Sequence, residues 1–307
     1  MLIDKNALYR FEEKLDPKNL EASEVSAEII DFGEISVIFR LKSQPDIVYK
    51  RMPIFDTRTA AEKYSIMYHD YCRYLTAAGL TLPESETCII EVPDRPVVLF
   101  IAQQKLPEDR LCHKLIHILD TGKCREMIGH VISETNKVWE FNKVSGPSVE
   151  LAIDGQLSNW AFVETENDSM FYYIDTSTPL FRLNEKEQQN PELMLQSAPG
   201  FLRWIIRLFF LDDVMNRYYV PKLVYTDLAA NLFKEQKPEL IPDAISIINT
   251  YLPDKKDVVV AGEVEKYYKE DKLIWSLFLA FRKVDRWLKT ALFRGRYEFI
   301  LPGKIKR

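Results

Sequence analysis

The chain has 307 residues, 47% of them hydrophobic and only 10 of them glycine, so we expect a globular protein rather than a disordered one. A formal net charge of −5 argues against a globally basic nucleic-acid binder. The first residues carry charges where a signal peptide would be apolar, and no apolar run is long enough to cross a bilayer. We therefore predict a cytoplasmic protein without a transmembrane segment.

The first third of the chain has the pattern of a small sheet. After a polar, partly helical start (1–26), alternating hydrophobicity predicts strands at 35–41 and 47–52. A helical pattern follows, and Gly79 ends it. Its apolar face holds Ala61, Tyr64, Met67, Tyr68, Tyr71 and Leu75. Two more strand-like segments, 81–92 and 95–106, follow the helix and complete a sheet into which this one helix is inserted.

The chain becomes mainly helical beyond Pro107. We predict helix over 108–143 with a break near Thr121-Gly122, and again from Gly200 to about Leu292. Between them lie predicted strands at 149–153, 159–164 and 170–174 and a polar, irregular loop at 182–198. The predicted organisation is an N-terminal extension (1–27), a β-rich lobe (28–105) and a helical lobe (106–307).

Five polar residues stand on elements that suit phosphoryl transfer from a nucleotide. Lys50 lies in a strand, on the same face as Val48, and Glu62 lies near the start of the following helix. Asp154 and Asn159 share a turn, and Asp175 ends a strand. This chemistry needs a lysine on the phosphates, an acid that holds the lysine, a base, and oxygen ligands for magnesium.

The chain resembles the protein-kinase-like fold, and most closely its aminoglycoside phosphotransferase and choline kinase branch. The branch reads H-G-D-x-x-x-x-N in its catalytic loop, and "AIDGQLSN" keeps the interval from Asp154 to Asn159. "YYID" supplies a later strand that ends in Ile-Asp, and "LTAAGLTLP" (75–83) matches an L-x-x-x-G-L-x-x-P motif. The order of the small lobe, the connector "LFIAQQKL" and the helical tail also agrees.

The resemblance implies an α+β, bilobal fold with a nucleotide-binding small lobe. It also implies an ATP- and Mg²⁺-dependent phosphotransferase that acts on a small hydroxylated or amino-bearing molecule. In this interpretation Asp154 is the catalytic base, and Asn159 and Asp175 bind the metal. Four residues contact or orient the nucleotide, namely Gly33, Lys50, Glu62 and Gln103. The acceptor pocket would be built from 176–200 and 212–230.

The sequence departs from the branch at three places. Ala152 and Ile153 replace the His that braces the loop and the Gly beside it, and the nucleotide loop contains Gly33 alone. Thr-Ser-Thr-Pro follows Asp175, where the branch often has an aromatic residue and acids. These changes support an alternative in which the fold is a pseudoenzyme that senses nucleotide or binds a partner. A variant that transfers AMP is a further alternative.

Four smaller features of the sequence have two interpretations each. Arg51 instead of Lys50 would face the cleft if the strand register slipped by one residue. Cys112, His113 and His117 have a spacing that can hold a metal, although one core and one surface histidine is the simpler interpretation. The basic, aromatic segments 201–210 and 273–299 suit either a membrane surface or, more simply, the core of the helical lobe. The acids Asp212, Asp213 and Asp227 suit either a cationic acceptor or an ordinary surface.

Overall fold

The structure is a computed structural model that describes residues 2–17, 27–32, 36–164, 169–195, 200, 203, 216–252, 256–292 and 294–301. The elements below belong to those residues.

A five-stranded antiparallel sheet forms the first part of the chain. Its strands are β1 (Ala27–Phe32), β2 (Val37–Leu41), β3 (Ile47–Phe55), β4 (Ser85–Ile90) and β5 (Val97–Gln104), in the spatial order β1-β2-β3-β5-β4. The predicted strands at 35–41 and 47–52 correspond to β2 and β3, and β3 continues to Phe55. The alternation of the sequence gave no separate prediction of β1.

Helix α1 (Lys5–Lys14) covers one face of this sheet. Its Phe11 stacks on Phe39 of β2, with ring centroids 4.4 Å apart, and meets Phe100 of β5 edge-on at 6.3 Å. Leu8 and Leu15 are buried in the same cluster. The polar N-terminal segment therefore contributes apolar side chains to the core of the sheet.

Helix α2 (Arg58–Ala77) lies between β3 and β4, as the sequence predicts. The Thr57 side chain caps its first turn by accepting from the Ala60 N–H. Gly79 ends the helix in a left-handed conformation (φ 90°), which a residue without Cβ adopts at low cost. Five members of the predicted apolar face are buried, namely Ala61, Tyr64, Tyr68, Tyr71 and Leu75.

The rest of the described chain is mainly helical. Its helices are α3 (Cys112–Leu115), α4 (Thr121–Ser145), α5 (Pro191–Leu195), α6 (Pro221–Lys234), α7 (Ile241–Tyr251) and α8 (Ala261–Trp287). Short strands β6 (Val149–Leu151), β9 (Phe181–Leu183) and β10 (Lys186–Glu187) form one sheet, and β7 (Trp160–Glu164) pairs with β8 (Ser169–Tyr173).

The predicted break within 108–143 is present, because Asp120 caps a new helix by accepting from the Lys123 N–H at 3.0 Å. Two other predicted segments differ from the structure. The segment predicted as an irregular loop, 182–198, contains most of β9, all of β10 and α5. The predicted helix from Gly200 is interrupted at 235–240, 252 and 256–260 within the described residues, and 201–202, 204–215 and 253–255 lie outside them.

Helices α4, α6 and α7 pack together with the short strands around one apolar core. A sheet lobe followed by a helical lobe is the α+β, bilobal, kinase-like arrangement that the sequence predicts. The cleft between the lobes is bounded by β3 and β5 on one side and by the strand ends near 154 and 175 on the other.

Candidate active site

Lys50 crosses from the sheet lobe to the helical lobe. Its Nζ lies 3.0 Å from Asp175 Oδ1 and 3.0 Å from the carbonyl oxygen of Ile174. The Lys50 side chain is only 6% exposed, whereas that of Asp175 is 35% exposed, so the carboxylate is open to a ligand on one side. Gln103 of β5 donates to the same Ile174 carbonyl from Nε2 at 3.2 Å. Lys50 and Gln103 therefore both face the cleft.

Arg51 points to the opposite face of the sheet, because successive strand residues alternate. Its Nε donates to Glu12 Oε2 of α1 at 2.7 Å, and its Nη1 donates to the Glu298 carbonyl oxygen at 2.7 Å. The alternative register, with Arg51 in the cleft, is therefore wrong. Arg51 instead ties β3 to both terminal regions of the described chain.

The structure does not form the predicted ion pair between Glu62 and Lys50. Glu62 Oε1 instead accepts from Arg58 Nε at 2.8 Å, one turn earlier on the exposed side of α2. The prediction is wrong because Glu62 lies off the buried face of the helix, whereas Tyr64 and Tyr68 lie on it.

These tyrosines hold the segment after Asp175. The Tyr64 hydroxyl donates to the Ser177 carbonyl oxygen at 2.8 Å, and the Tyr68 hydroxyl lies 3.2 Å from Thr176 Oγ1. The Ser177 hydroxyl in turn donates to Asp175 Oδ1 at 2.8 Å. Where the related branch often has an aromatic residue and acids, this chain thus has hydroxyl groups that orient the carboxylate.

The loop between β6 and β7 brings Asp154 and Asn159 to the same end of the cleft. Asp154 Oδ1 accepts from the Gln156 backbone N–H at 3.1 Å, and Asn159 Nδ2 donates to the Asp154 carbonyl oxygen at 3.2 Å. The Asn159 carbonyl oxygen accepts from the Ile174 N–H at 2.9 Å, which places Asn159 beside the strand that leads to Asp175. The side-chain amide of Asn159 also carries an oxygen, which is a ligand type that magnesium accepts.

The loop is braced without the histidine of the related branch. The Tyr71 hydroxyl donates to the Ala152 carbonyl oxygen at 2.8 Å. Gln156 Nε2 donates to Asp227 Oδ2 of α6 at 3.0 Å, and Asn231 Nδ2 donates to Gln156 Oε1 at 3.2 Å. A local sequence pattern could not predict this network, because the residues that bond to each other lie 71 or more positions apart in the chain.

Asp227 is thus not the surface acid that the sequence suggested, because it is only 9% exposed. Burial raises its pKa. The other two acids considered with it, Asp212 and Asp213, lie outside the described residues, as does Gly33.

The two cleft carboxylates have opposite electrostatic environments. Burial, followed by the nearby charges of Asp227 and Asp175, raises the pKa of Asp154. Burial alone would raise the pKa of Asp175 too, but the Lys50 ammonium and the Ser177 hydroxyl outweigh it and lower the pKa of that carboxyl. Asp175 is therefore ionised at neutral pH, and Asp154 has the higher proton affinity of the two.

The donor set fits magnesium. Among the residues that the structure describes, no three His, Cys, Asp or Glu side chains are grouped to hold a metal on their own. Magnesium, however, is usually held by one or two carboxylates together with substrate phosphates and water. Asn159 and Asp175 offer two oxygen ligands of this kind. The Cys112, His113 and His117 pattern is not on one helix, because α3 ends at Leu115.

The chain is similar to solved kinases, at low scores. It is 10% identical to WaaP in complex with acyl carrier protein, with a TM-score of 0.35, over 87% of this chain and 98% of that one. It is 10% identical to the GDP complex of aminoglycoside 2'-phosphotransferase-IIIa, with a TM-score of 0.33, over 74% and 92%. The kinase domain of maize SIRK1 (sucrose-induced receptor kinase 1) bound to AMP-PNP is 11% identical, with a TM-score of 0.41, over 90% and 97%.

No curated protein matches the chain in sequence. The kinase-like fold assignment rests on the strand order and on the contacts across the cleft. A family model does match most of the sequence, over residues 20–286. The chain therefore belongs to the family of unknown function DUF6206.

Proposed function

We propose that the protein is an ATP- and Mg²⁺-dependent phosphotransferase whose acceptor is a small hydroxylated or amino-bearing molecule. The observation that carries this proposal is the contact of Lys50 with Asp175 across the cleft, at 3.0 Å. These residues are 125 positions apart, and Asp154 and Asn159 lie beside them. A lysine, two carboxylates and an amide in one cleft are the groups that phosphoryl transfer requires.

Each residue has a distinct role in this proposal. Lys50 neutralises and orients the nucleotide phosphates, while Gln103 and Gly33 contact the nucleotide. Asp154 orients the acceptor group and takes its proton. The raised pKa of Asp154 suits a base, because a carboxyl with higher proton affinity accepts a proton more readily once it is ionised.

Asn159 and Asp175 would hold the magnesium ion, which when bound neutralises charge on the phosphates. The Asp175 side chain is partly exposed, which supports this role because a metal ion can reach its carboxylate. The bond from Ser177 and the support of Ser177 by Tyr64 keep the carboxylate in one orientation. Positioning of this kind supplies much of the catalysis in phosphoryl transfer.

Glu62 has no part in the proposed site, because it pairs with Arg58 on the surface. Lys50 is held by Asp175 and by the Ile174 carbonyl in the absence of ligands. Nucleotide and metal would compete with that ion pair, so Lys50 would move from the carboxylate to the phosphates as they bind.

The direct test is to follow labelled phosphate. The protein is incubated with Mg²⁺ and ATP that carries the label at the γ or the α position, together with a panel of sugars, amino alcohols and aminoglycosides. We expect transfer of the γ label to an acceptor, and we expect Asp154→Asn to abolish it. Transfer of the α label would instead identify an AMP transferase.

A second candidate function is a nucleotide-sensing or partner-binding module without phosphoryl transfer. The lack of an α2 acid on Lys50 favours it, since Lys50 here relies on the same carboxylate that the metal needs. Saturable binding of nucleotide without ATP turnover, with or without acceptors, would support this candidate. Turnover that depends on Asp154 would exclude it.

A further inference from the structure

Helix α8 exposes a stripe of large apolar side chains. Leu273, Leu277, Val284 and Trp287 follow the helical spacing i, i+4, i+11 and i+14, so they share one side of the helix. Leu273 is 61% exposed and Trp287 is 62% exposed. Ile274, beside the stripe, is also exposed. This corrects the simpler interpretation of the segment as part of the core.

The other side of the helix is anchored to the protein, which fixes the direction of the stripe. Arg282 and Asp285 are buried, and the Arg282 guanidinium lies 5.1 Å from the ring centroid of Phe299. At the beginning of the helix, Tyr268 stacks on Phe233 of α6, with centroids 4.9 Å apart. The helix therefore cannot rotate to bury the stripe without breaking these contacts.

The surface along the stripe is positively charged, although the chain as a whole is acidic. Of the five basic residues in 272–292, Arg282 is buried and Lys289 pairs with Asp285, the single acidic residue. Lys272, Lys283 and Arg286 therefore supply the positive charge. Lys283 and Arg286 form no ion pair within the described part of the chain. With Trp287 and Thr290 they line an open patch of surface, where two cations beside an indole are suited to a phosphate group.

We infer that this face of α8 docks the protein on an anionic phospholipid membrane. The apolar stripe enters the boundary between headgroups and acyl chains, Trp287 lies at the interface, and Lys283 and Arg286 bind lipid phosphates. None of the described helices is long and apolar enough to span a bilayer, so the contact is peripheral. The proposed catalytic cleft is not needed for it.

A second copy of the chain is a poorer occupant of the same face. Lys272, Lys283 and Arg286 outnumber the exposed acids at this part of the helix, Glu270 and Asp271, so two copies joined along the stripe would gather an excess of positive charge. A negatively charged surface meets the same cations with attraction. We therefore expect this face to bind an anionic membrane in preference to a second copy of the chain.

Vesicle flotation tests the inference with the full chain. Vesicles of phosphatidylcholine mixed with phosphatidylglycerol are compared with vesicles of phosphatidylcholine alone. We expect the protein to float only with the anionic vesicles. We also expect salt to release it, because dissolved ions screen the attraction between the basic side chains and the lipid phosphates. The double substitution Lys283→Gln/Arg286→Gln should lower the partition coefficient about 25-fold, since each basic side chain near an anionic surface contributes about five-fold.

Matched variants distinguish the effect of changing this face from the effect of lowering the positive charge anywhere on the protein. Lys123→Gln/Lys186→Gln removes the same charge from two exposed positions outside α8 and should leave binding nearly unchanged. Leu277→Ser/Trp287→Ser should lower binding roughly ten-fold or more, because apolar side chains no longer enter the interface. Circular dichroism and the melting temperature verify that each variant is folded.

Three results would overturn the inference. One is the absence of flotation with anionic vesicles at low salt. Another is an equal loss of binding in the Lys123/Lys186 control. The third is a concentration-dependent dimer in light scattering that Leu277→Ser/Trp287→Ser abolishes, without any vesicle binding, since the face would then join two copies of the chain.

Discussion

Replacing Asp154 with Asn should make the protein more stable and, at the same time, inactive. Asn has nearly the same shape as Asp, and its side-chain oxygen can still accept the bond from the Gln156 N–H. The substitution removes only the negative charge, which burial and the neighbouring Asp227 and Asp175 make unfavourable. The experiment detects whether the proposed base is a carboxylate that its surroundings disfavour.

The size of both effects follows from the environment of the group. One pKa unit corresponds to about 1.4 kcal/mol. For a carboxyl raised mainly by burial, we expect a gain on the order of 1–3 kcal/mol in the free energy of unfolding, or several degrees in Tm. Loss of the base should lower the rate of phosphoryl transfer about 10²- to 10⁴-fold.

The pH dependence gives the sharper test of the stability effect. Because the pKa of Asp154 is higher in the folded chain, the wild type loses stability as the pH rises from the ordinary Asp range through the raised pKa. Asn does not titrate, so the advantage of Asp154→Asn should grow over this interval. Below the ordinary Asp range, where the carboxyl is neutral in both states, the advantage should vanish.

The measurement is Tm against pH for the wild type, Asp154→Asn and Asp175→Asn. Asp175 is the control with the opposite sign, because its pKa is lowered and its loss leaves Lys50 without a counter-charge. We expect Asp175→Asn to destabilise the protein at neutral pH. If Asp154→Asn also destabilises it, or if its effect does not depend on pH, the electrostatic description of the site is wrong.

Four further substitutions test other parts of the structure. Lys50→Met should weaken nucleotide binding at least about ten-fold, whereas Glu62→Gln should leave it unchanged; calorimetric titration of each variant distinguishes the two. Gln156→Leu leaves Asp227 and its neighbours without their partner, so we expect a loss of about 1–3 kcal/mol in urea unfolding and a fall in kcat with an unchanged nucleotide KM. Arg51→Met leaves the buried Glu12 carboxylate without its cation and should cost about 3–5 kcal/mol in the same unfolding assay, and an unaltered midpoint would contradict the buried ion pair.

The sequence could predict the cleft residues because each belongs to a short local pattern. Strand alternation places Lys50 on one face of β3, and the structure puts it in the cleft. The interval from Asp154 to Asn159 and the strand end at Asp175 are also local, and the structure brings these residues to one end of the cleft. The roles of these residues stay predictions until they are tested.

The failures have physical reasons as well. Glu62 lies beside the apolar face of α2 that the sequence had already defined, and Arg58 one turn earlier gives it a closer partner. The contacts of Gln156 with Asp227 depend on how α6 packs against the loop, which no local pattern records. The sequence left two interpretations of 273–299 open, because an amphipathic pattern does not say whether the apolar side meets protein or another surface.

Binding of Mg-ATP tests the central claim most directly. The Tm of the wild type and of Asp175→Ala is measured with and without millimolar Mg-ATP, with ATP in excess EDTA as the metal control. We expect Mg-ATP to raise the Tm of the wild type. We expect no such rise in Asp175→Ala, because it lacks the proposed metal ligand. No rise in the wild type at millimolar nucleotide, or an undiminished rise in Asp175→Ala, would contradict it.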